Sequence, residues 1–142
     1  MSFYEERGKI GIFKPIILFC VFDILRKEFI RMLENKFKTD LVKELEYIFP
    51  GCIVLHIDPN EIQGIPDLLI LYKDKWAALE GKKSATASHR PNQDYYVKLM
   101  NKMSFASFIY PENKEEVLYE LQQALCPRRT ARISRGKQIP LD

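Results

Sequence analysis

Three side chains suited to phosphate chemistry occur in two short motifs, Pro66-Asp67 and Glu80-Gly81-Lys82, which twelve residues separate. The intervening residues form two apolar segments joined by a short polar turn, so the motifs flank a predicted β-hairpin. Because side chains alternate along a strand, Glu80 and Lys82 share a face. With an even turn centred on Asp74-Lys75, Asp67 lies opposite Lys82, and Leu69 lies opposite Glu80, on that same face.

Two carboxylates held close together repel each other unless a cation lies between them. Oxygen ligands without imidazole or thiolate favour Mg²⁺ or Mn²⁺, so Asp67 and Glu80 are predicted metal ligands. Such an ion polarises a phosphodiester, activates water and stabilises the leaving oxygen. Lys82 is predicted to stabilise charge on the phosphate or to orient the attacking water. The alternative, a solvated pair on an edge strand, fits poorly because Leu69 and Leu71 occupy the same face.

A third carboxylate is predicted to reach this site from the first helix, which spans about residues 27–49. Phe37, Leu41, Leu45 and Ile48 recur at helical spacing and form an apolar stripe, which Pro50-Gly51 ends. Glu34 projects onto the centre of that stripe, where an unpaired buried carboxylate is costly. We therefore predict that Glu34 points into a partly wet cavity and either completes the ligand set of the ion or holds one of its waters. Glu44 and Glu46 flank the stripe and are the competing candidates for this role, but both are predicted to be solvated.

The remaining elements follow from apolar periodicity and from turn residues. Strands are predicted at 52–57, 68–72, 76–82 and 105–110, and helices from Pro91 to about Lys102 and after Asn113. The order is helix, three strands, helix, strand, helix, which predicts one α/β domain with a mixed four-stranded sheet flanked by helices. The predicted domain spans 32–125, between an N-terminal extension, 1–31, and a flexible basic tail, 126–142.

This layout resembles the PD-(D/E)xK nuclease superfamily, which includes restriction enzymes, Holliday-junction resolvases and bacteriophage endonucleases of the resolvase type. Pro66-Asp67, Glu80-x-Lys82 and Glu34 carry the resemblance, and Gly64-Ile65-Pro66-Asp67 also resembles a motif of virus-type replication-repair nucleases. The resemblance implies a restriction-endonuclease-like α-β-β-β-α-β core over 32–125. It also implies that Gln93, at the start of the following helix, faces the site and positions nucleophile or substrate. Gly81 departs from the pattern, since an apolar β-former is usual there.

Net charge is +3, and the segment from Cys126 to Asp142 contributes +4, which leaves the first 125 residues at about −1. That tail contains Arg128, Arg129, Arg132, Arg135 and Lys137, against the single carboxylate of Asp142. We predict that the tail arginines Arg128, Arg129 and Arg132, with Lys83 and Arg90 near the site, contact DNA phosphates. The alternative for the tail is a solubilising role without a partner.

The N-terminal extension contains an apolar segment, Ile12–Phe22, which is shorter than the ~20 residues that a membrane span needs. No signal-peptide pattern is present, so a cytoplasmic protein without a membrane partner is predicted. The extension is predicted to be an ordered element or strand that packs on the domain, or an upstream extension if translation begins at Met32. The three cysteines lack metal-site or disulfide spacing and are predicted to be reduced thiols.

These observations together predict a Mg²⁺- or Mn²⁺-dependent endonuclease that hydrolyses DNA and selects substrates by structure. The resemblance implies a homodimer and a phage or mobile-element origin. Two alternatives remain: a nucleic-acid-binding module of the same fold without catalysis, and a protein-interaction domain. Intact carboxylates and lysine favour the enzyme over both.

Overall fold

The computed structural model describes residues 13–127, with side chains from Leu18 onward. In chain order the elements are α1 (Phe13–Ile48), β1 (Ile53–His56), β2 (Leu68–Tyr72), β3 (Lys75–Gly81), α2 (Gln93–Met103), β4 (Phe105–Ile109) and α3 (Lys114–Leu125). The predicted element types and their order are confirmed. The strands form a single mixed sheet in the order β1-β2-β3-β4, in which β3 and β4 are parallel and the other pairs are antiparallel.

The hairpin between β2 and β3 has a different register from the predicted one. Tyr72 pairs with Lys75, so the turn is centred on Lys73-Asp74 and not on Asp74-Lys75. Lys73 takes the left-handed conformation, with φ 56°, that a tight hairpin turn requires. Leu69 therefore lies opposite Ala78 instead of Glu80, and the register continued by one pair brings Asp67 opposite Glu80 instead of Lys82. The shift is two residues along one strand, so the predicted face of each side chain is unchanged.

The core lies mainly between the sheet and the helices α1 and α3. Leu41, Leu45 and Phe49 of α1 are buried against strand residues such as Ile70 and Leu79. Val117, Leu118, Leu121 and Leu125 of α3 complete this cluster. Burying one such leucine contributes roughly 1.5–3 kcal/mol, so this layer supplies most of the packing energy. The predicted stripe of α1 thus faces the sheet, which directs the polar residues that precede it toward one sheet end.

Helix α2 covers the opposite face of the sheet. Val97 packs on Ala78 and Ala106, with Leu69, Trp76 and Phe108 around them. Since β3, α2 and β4 are consecutive and the two strands are parallel, the N-terminus of α2 lies near the C-terminal end of β3. In open α/β sheets that end of the parallel strands is where ligands bind.

Helix α1 begins earlier than predicted. It runs from Phe13, whereas the apolar periodicity indicated a start near Lys27. Over 18–33 most of its apolar side chains do not pack on the domain as expected: nine large ones are exposed, namely Leu18, Phe19, Val21, Phe22, Ile24, Leu25, Phe29, Met32 and Leu33. Of the two predicted forms, an ordered element or a strand, the described part of the extension takes the first, as a continuous helix favoured by leucines and charged residues. Residues 1–12, the start of the predicted extension, lie outside the described residues.

Gly64 holds the loop before β2 against the start of α2. It has φ +93°, and an added Cβ would lie 2.6 Å from the backbone carbon of Asn92 and 2.7 Å from the carbonyl oxygen of Pro91. Gly51 has a similar φ of +85° but nothing within 4 Å of its Cβ position. The Gly64-Ile65-Pro66-Asp67 motif therefore contains a residue that packing, as well as backbone conformation, restricts to glycine.

We expect Gly64→Ala to lower the free energy of unfolding by roughly 2–4 kcal/mol, because backbone strain and overpacking combine. Gly51→Ala is the matched control, with strain alone and an expected loss of about 1–2 kcal/mol. Urea denaturation of both variants measures the difference. Equal losses would show that the close approach of the loop to α2 contributes nothing.

Candidate active site

Asp67 and Glu80 meet where β2 begins and β3 ends. The Asp67 backbone N–H donates to Glu80 Oε2 at 3.2 Å, and the Gly81 backbone N–H donates to Asp67 Oδ1 at 3.2 Å. Each carboxylate is thus held by the backbone of the opposite strand. Only 5% of Glu80 is exposed, and 18% of the Asp67 side chain is. The hairpin therefore fixes two acidic groups side by side at the wall of a cavity.

Gln93 links the carboxylate and the lysine of the second motif. Its Nε2 donates to Glu80 Oε1 at 2.5 Å, while its Oε1 accepts from Lys82 Nζ at 2.6 Å. The same oxygen accepts from the Arg90 backbone N–H at 2.7 Å, which ties the preceding loop to α2. Lys82 Nζ also donates to the Ser88 carbonyl oxygen at 3.3 Å and lies 3.6 Å from Glu80 Oε1. Because Gln93 is the first residue of α2, the βαβ crossover places it there.

Glu34 and Lys38 enter from α1, one helical turn apart. Lys38 Nζ lies 3.5 Å from Glu34 Oε1 and forms a closer ion pair with Asp67 Oδ2. The side chains of Glu34 and Lys38 are 29% and 23% exposed, so both stand at the wet edge of the site. Glu34 thus lies in a partly wet cavity, where it was predicted. Of the competing carboxylates, Glu44 instead pairs with Lys114 at 2.8 Å and joins α1 to α3.

The charges of the site are strongly coupled. Burial, and then the negative charge of Asp67, raise the pKa of Glu80, while Lys82 and Lys38 partly oppose the rise. Burial acts to lower the pKa of Lys38, but the charge and hydrogen bond of Asp67, with the charges of Glu34 and Glu80, outweigh it and raise that pKa. The site therefore favours an added positive charge whenever its carboxylates are ionised.

The donor set suits a hard divalent cation, although the ligands are not gathered into a finished cage. Within the described part of the chain, no group of three or more His, Cys, Asp and Glu side chains is arranged to hold a metal. The Lys38 ammonium already lies between Glu34 and Asp67, where it stands in for a cation. Mg²⁺ commonly uses one or two carboxylates and takes its other ligands from water and substrate phosphate. Asp67 and Glu80 satisfy that requirement. Glu34 lies on the other side of the Lys38 ammonium group from Asp67.

Five side chains named from the sequence line one cavity of about 450 Å³: Glu34, Asp67, Glu80, Lys82 and Gln93. Its rim includes Arg90 and, from the loop before β2, Asn60 and Gln63. An adjoining groove of about 430 Å³ is lined by Lys83 and Arg90, together with Ser84 and Thr86. Lys83 and Arg90, predicted to contact DNA, are thus exposed beside the carboxylates. Arg128, Arg129 and Arg132, predicted for the same role, lie outside the described residues.

Lys38 is a residue of the site that was not predicted from the sequence. One signal in the sequence pointed to it: it follows Glu34 by four residues, on the same helix face. Asn60 and Gln63 were missed because loop residues carry no periodicity that predicts where they lie.

We expect Gln93→Leu to destabilise the protein by roughly 1–3 kcal/mol, because it leaves Glu80 and Lys82 without their shared buried partner. Gln123, exposed on α3, offers the control Gln123→Leu, which should shift stability by less than about 0.5 kcal/mol. Urea denaturation in EDTA measures both. If the two variants are equally stable, the Gln93 bridge does not hold the site together.

No protein-family model, no curated protein and no solved structure matches this chain. None of the helices within residues 13–127 combines the length and the apolar character that a membrane span requires.

Proposed function

We propose that this protein is a divalent-metal-dependent nuclease that hydrolyses DNA phosphodiester bonds. One observation carries the proposal: Asp67, Glu80, Lys82 and Gln93 meet in a single cavity, and Glu80 and Lys82 are buried there at 5% and 6% exposure. Buried charged groups are costly to maintain, so a cluster of them at a cavity wall indicates a functional site.

Each residue has a distinct task in the proposed reaction. Asp67 and Glu80 would bind Mg²⁺ or Mn²⁺, and Glu34 would complete the ligand set or hold a water beside it. The bound ion would supply Lewis acidity at the phosphate and lower the pKa of water. Lys82, held by Gln93, would stabilise charge that develops on the phosphate oxygens. Gln93 would keep the lysine aimed into the cavity and position the nucleophile or substrate.

The fold supports the same assignment. The observed order α-β-β-β-α-β, followed by α3, is the order expected for a restriction-endonuclease-like core. The two acidic positions lie at the ends of paired strands, and the carboxylate of α1 lines the same cavity from outside the hairpin. We therefore propose that the chain is a member of the PD-(D/E)xK nuclease superfamily.

The proposed substrate is DNA recognised by its backbone and shape. Lys83 and Arg90 line a groove that continues from the cavity, and they would contact phosphates on either side of the cleaved bond. The tail arginines Arg128, Arg129 and Arg132 would add attraction that is independent of sequence. A structure-selective, junction-resolving endonuclease that acts as a homodimer is the specific form we propose, because the basic side chains beside the cavity suit contacts to the DNA backbone more than to base edges.

Cleavage of supercoiled plasmid and of a synthetic four-way junction tests this function. We expect cutting in Mg²⁺ or Mn²⁺ and none in EDTA. Faster cutting of the junction than of linear duplex would support the junction-resolving form, and equal rates would indicate a general endonuclease. An absence of cutting in either metal, with DNA binding retained, would contradict the enzyme.

That last outcome would favour a nucleic-acid-binding module of the same fold without catalysis. The ion pair between Lys38 and Asp67 favours this second candidate, because it occupies one carboxylate that the enzyme needs. A binding module would show DNA affinity that is independent of divalent ions, whereas the enzyme would require them for cutting.

A further inference from the structure

Lys38 lies where a cation would be expected among the carboxylates. Its ammonium group contacts Asp67 Oδ2 and lies 3.5 Å from Glu34 Oε1, and its side chain is 23% exposed. Glu34, Lys38 and Asp67 line the same cavity as Glu80. An ammonium group and a divalent ion on the same carboxylate repel each other at that range, so contact by one weakens contact by the other.

Gly81 provides the path by which Lys38 reaches that position. The Cβ of any larger residue would lie 2.9 Å from Lys38 Cε and 3.0 Å from Lys38 Cγ. The lysine stem therefore runs directly across the strand, over a residue without a side chain. This accounts for the one departure from the expected pattern of β3, where the side chain of an apolar β-former would have displaced the stem.

We propose that Lys38 is a positioning residue that competes with the divalent ion for Asp67 and Glu34. In the metal-free protein it neutralises the carboxylates and keeps them together. When the ion binds, Lys38 must leave Asp67. The loss of that ion pair offsets part of the free energy of metal binding and so weakens the affinity for the ion. The ion is then held best when substrate phosphate adds ligands, so filling of the site is coupled to DNA. This inference rests on the proposed metal site.

Direct measurement of Mn²⁺ affinity, by calorimetry and by electron paramagnetic resonance, tests the competition without any activity assay. We expect Lys38→Met to bind Mn²⁺ about tenfold more tightly than the wild type, in line with a partly buried ion pair. Lys36 is an exposed lysine on the same helix, so Lys36→Met controls for the general loss of positive charge. It should change Mn²⁺ affinity less than about twofold.

Gly81→Ala separates competition from a simple change of charge. It removes no charge but obstructs the Lys38 stem, so we expect tighter Mn²⁺ binding than in the wild type. In the Lys38→Met background the same substitution should have no further effect, since the competitor is already absent. Equal effects of Gly81→Ala in both backgrounds would overturn the proposal, as would unchanged affinity in Lys38→Met.

The failure of this inference can be distinguished from failure of the proposed function. If the wild type and all variants bind no Mn²⁺, the metal site itself is wrong and both proposals fall. If the wild type binds Mn²⁺ and Lys38→Met binds it equally well, only the role of Lys38 is wrong. Thermal melts in EDTA add a second measurement: Lys38→Met should melt below the wild type and gain more from added Mn²⁺.

Discussion

Asp67→Asn is expected to reduce metal-dependent DNA cleavage by about 10³-fold or more, equivalent to roughly 4 kcal/mol of transition-state stabilisation. The substitution keeps the shape of the side chain and an oxygen that can accept from the Gly81 N–H. It removes the charge that a hard divalent ion requires. The single-turnover rate of plasmid nicking at saturating Mg²⁺ measures the loss.

The matched control is Asp74→Asn, which removes the same charge from an exposed carboxylate in the hairpin turn. It should cut within about twofold of the wild type, because an exposed charge away from the cavity contributes little at moderate salt. Filter binding in EDTA should show that Asp67→Asn still binds DNA. Cleavage by Asp67→Asn within tenfold of the wild type would mean that Asp67 holds no catalytic ion.

Lys82→Met is expected to lower the single-turnover rate by about 10²–10³-fold without weakening Mn²⁺ affinity. The lysine is only 6% exposed and is aimed by Gln93, so its ammonium group is preorganised toward the cavity. Methionine fills similar space but provides no donor. At a pH where Glu80 stays ionised, removal of a positive charge beside it lowers the electrostatic cost of a bound cation, so the variant separates loss of catalysis from loss of metal.

Lys83 provides the comparison, because it is adjacent in sequence but exposed in the neighbouring groove. Lys83→Met should leave the single-turnover rate nearly unchanged and weaken DNA binding, with the salt dependence of binding reduced by about one counterion. If Lys83→Met lowers the single-turnover rate as much as Lys82→Met does, catalysis depends on the general positive charge of this region and the position of Lys82 is not special. Far-ultraviolet circular dichroism of both variants checks that the fold is intact.

The sequence predicted the fold well where periodicity was strong. The apolar stripe of α1 and the alternation of β2 and β3 depend on burial, which the spacing of apolar residues along the sequence reflects directly. The hairpin register was wrong by two residues because Lys73-Asp74-Lys75 admits more than one turn, and the choice depends on local backbone conformation. Because the shift is an even number of residues, each side chain stays on its predicted face, and Asp67, Glu80 and Lys82 still share one. The start of α1 was misplaced because helix propensity continued beyond the amphipathic pattern.

The contacts between the side chains of the site were less predictable than which residues line it. Spacing and resemblance named Asp67, Glu80, Lys82, Glu34 and Gln93, which line one cavity. That Gln93 bridges Glu80 and Lys82 depends on the crossover between β3 and β4, which the sequence does not describe at atomic detail. The partnership of Lys38 with Gly81 joins residues far apart in the chain. Local patterns carry no record of such a contact, and only tertiary packing reveals it.

One Mn²⁺ titration, followed at the same time by plasmid cleavage and by Mn²⁺ occupancy, tests the central claim most directly. Wild-type protein and Asp67→Asn are compared at equal concentrations of protein, DNA and metal. We predict that wild-type cleavage rises in step with Mn²⁺ occupancy and that both are lost together in Asp67→Asn over the same range. Full Mn²⁺ occupancy of the wild type without cutting, or equal cutting by both proteins, would contradict a metal-dependent nuclease built on Asp67 and Glu80.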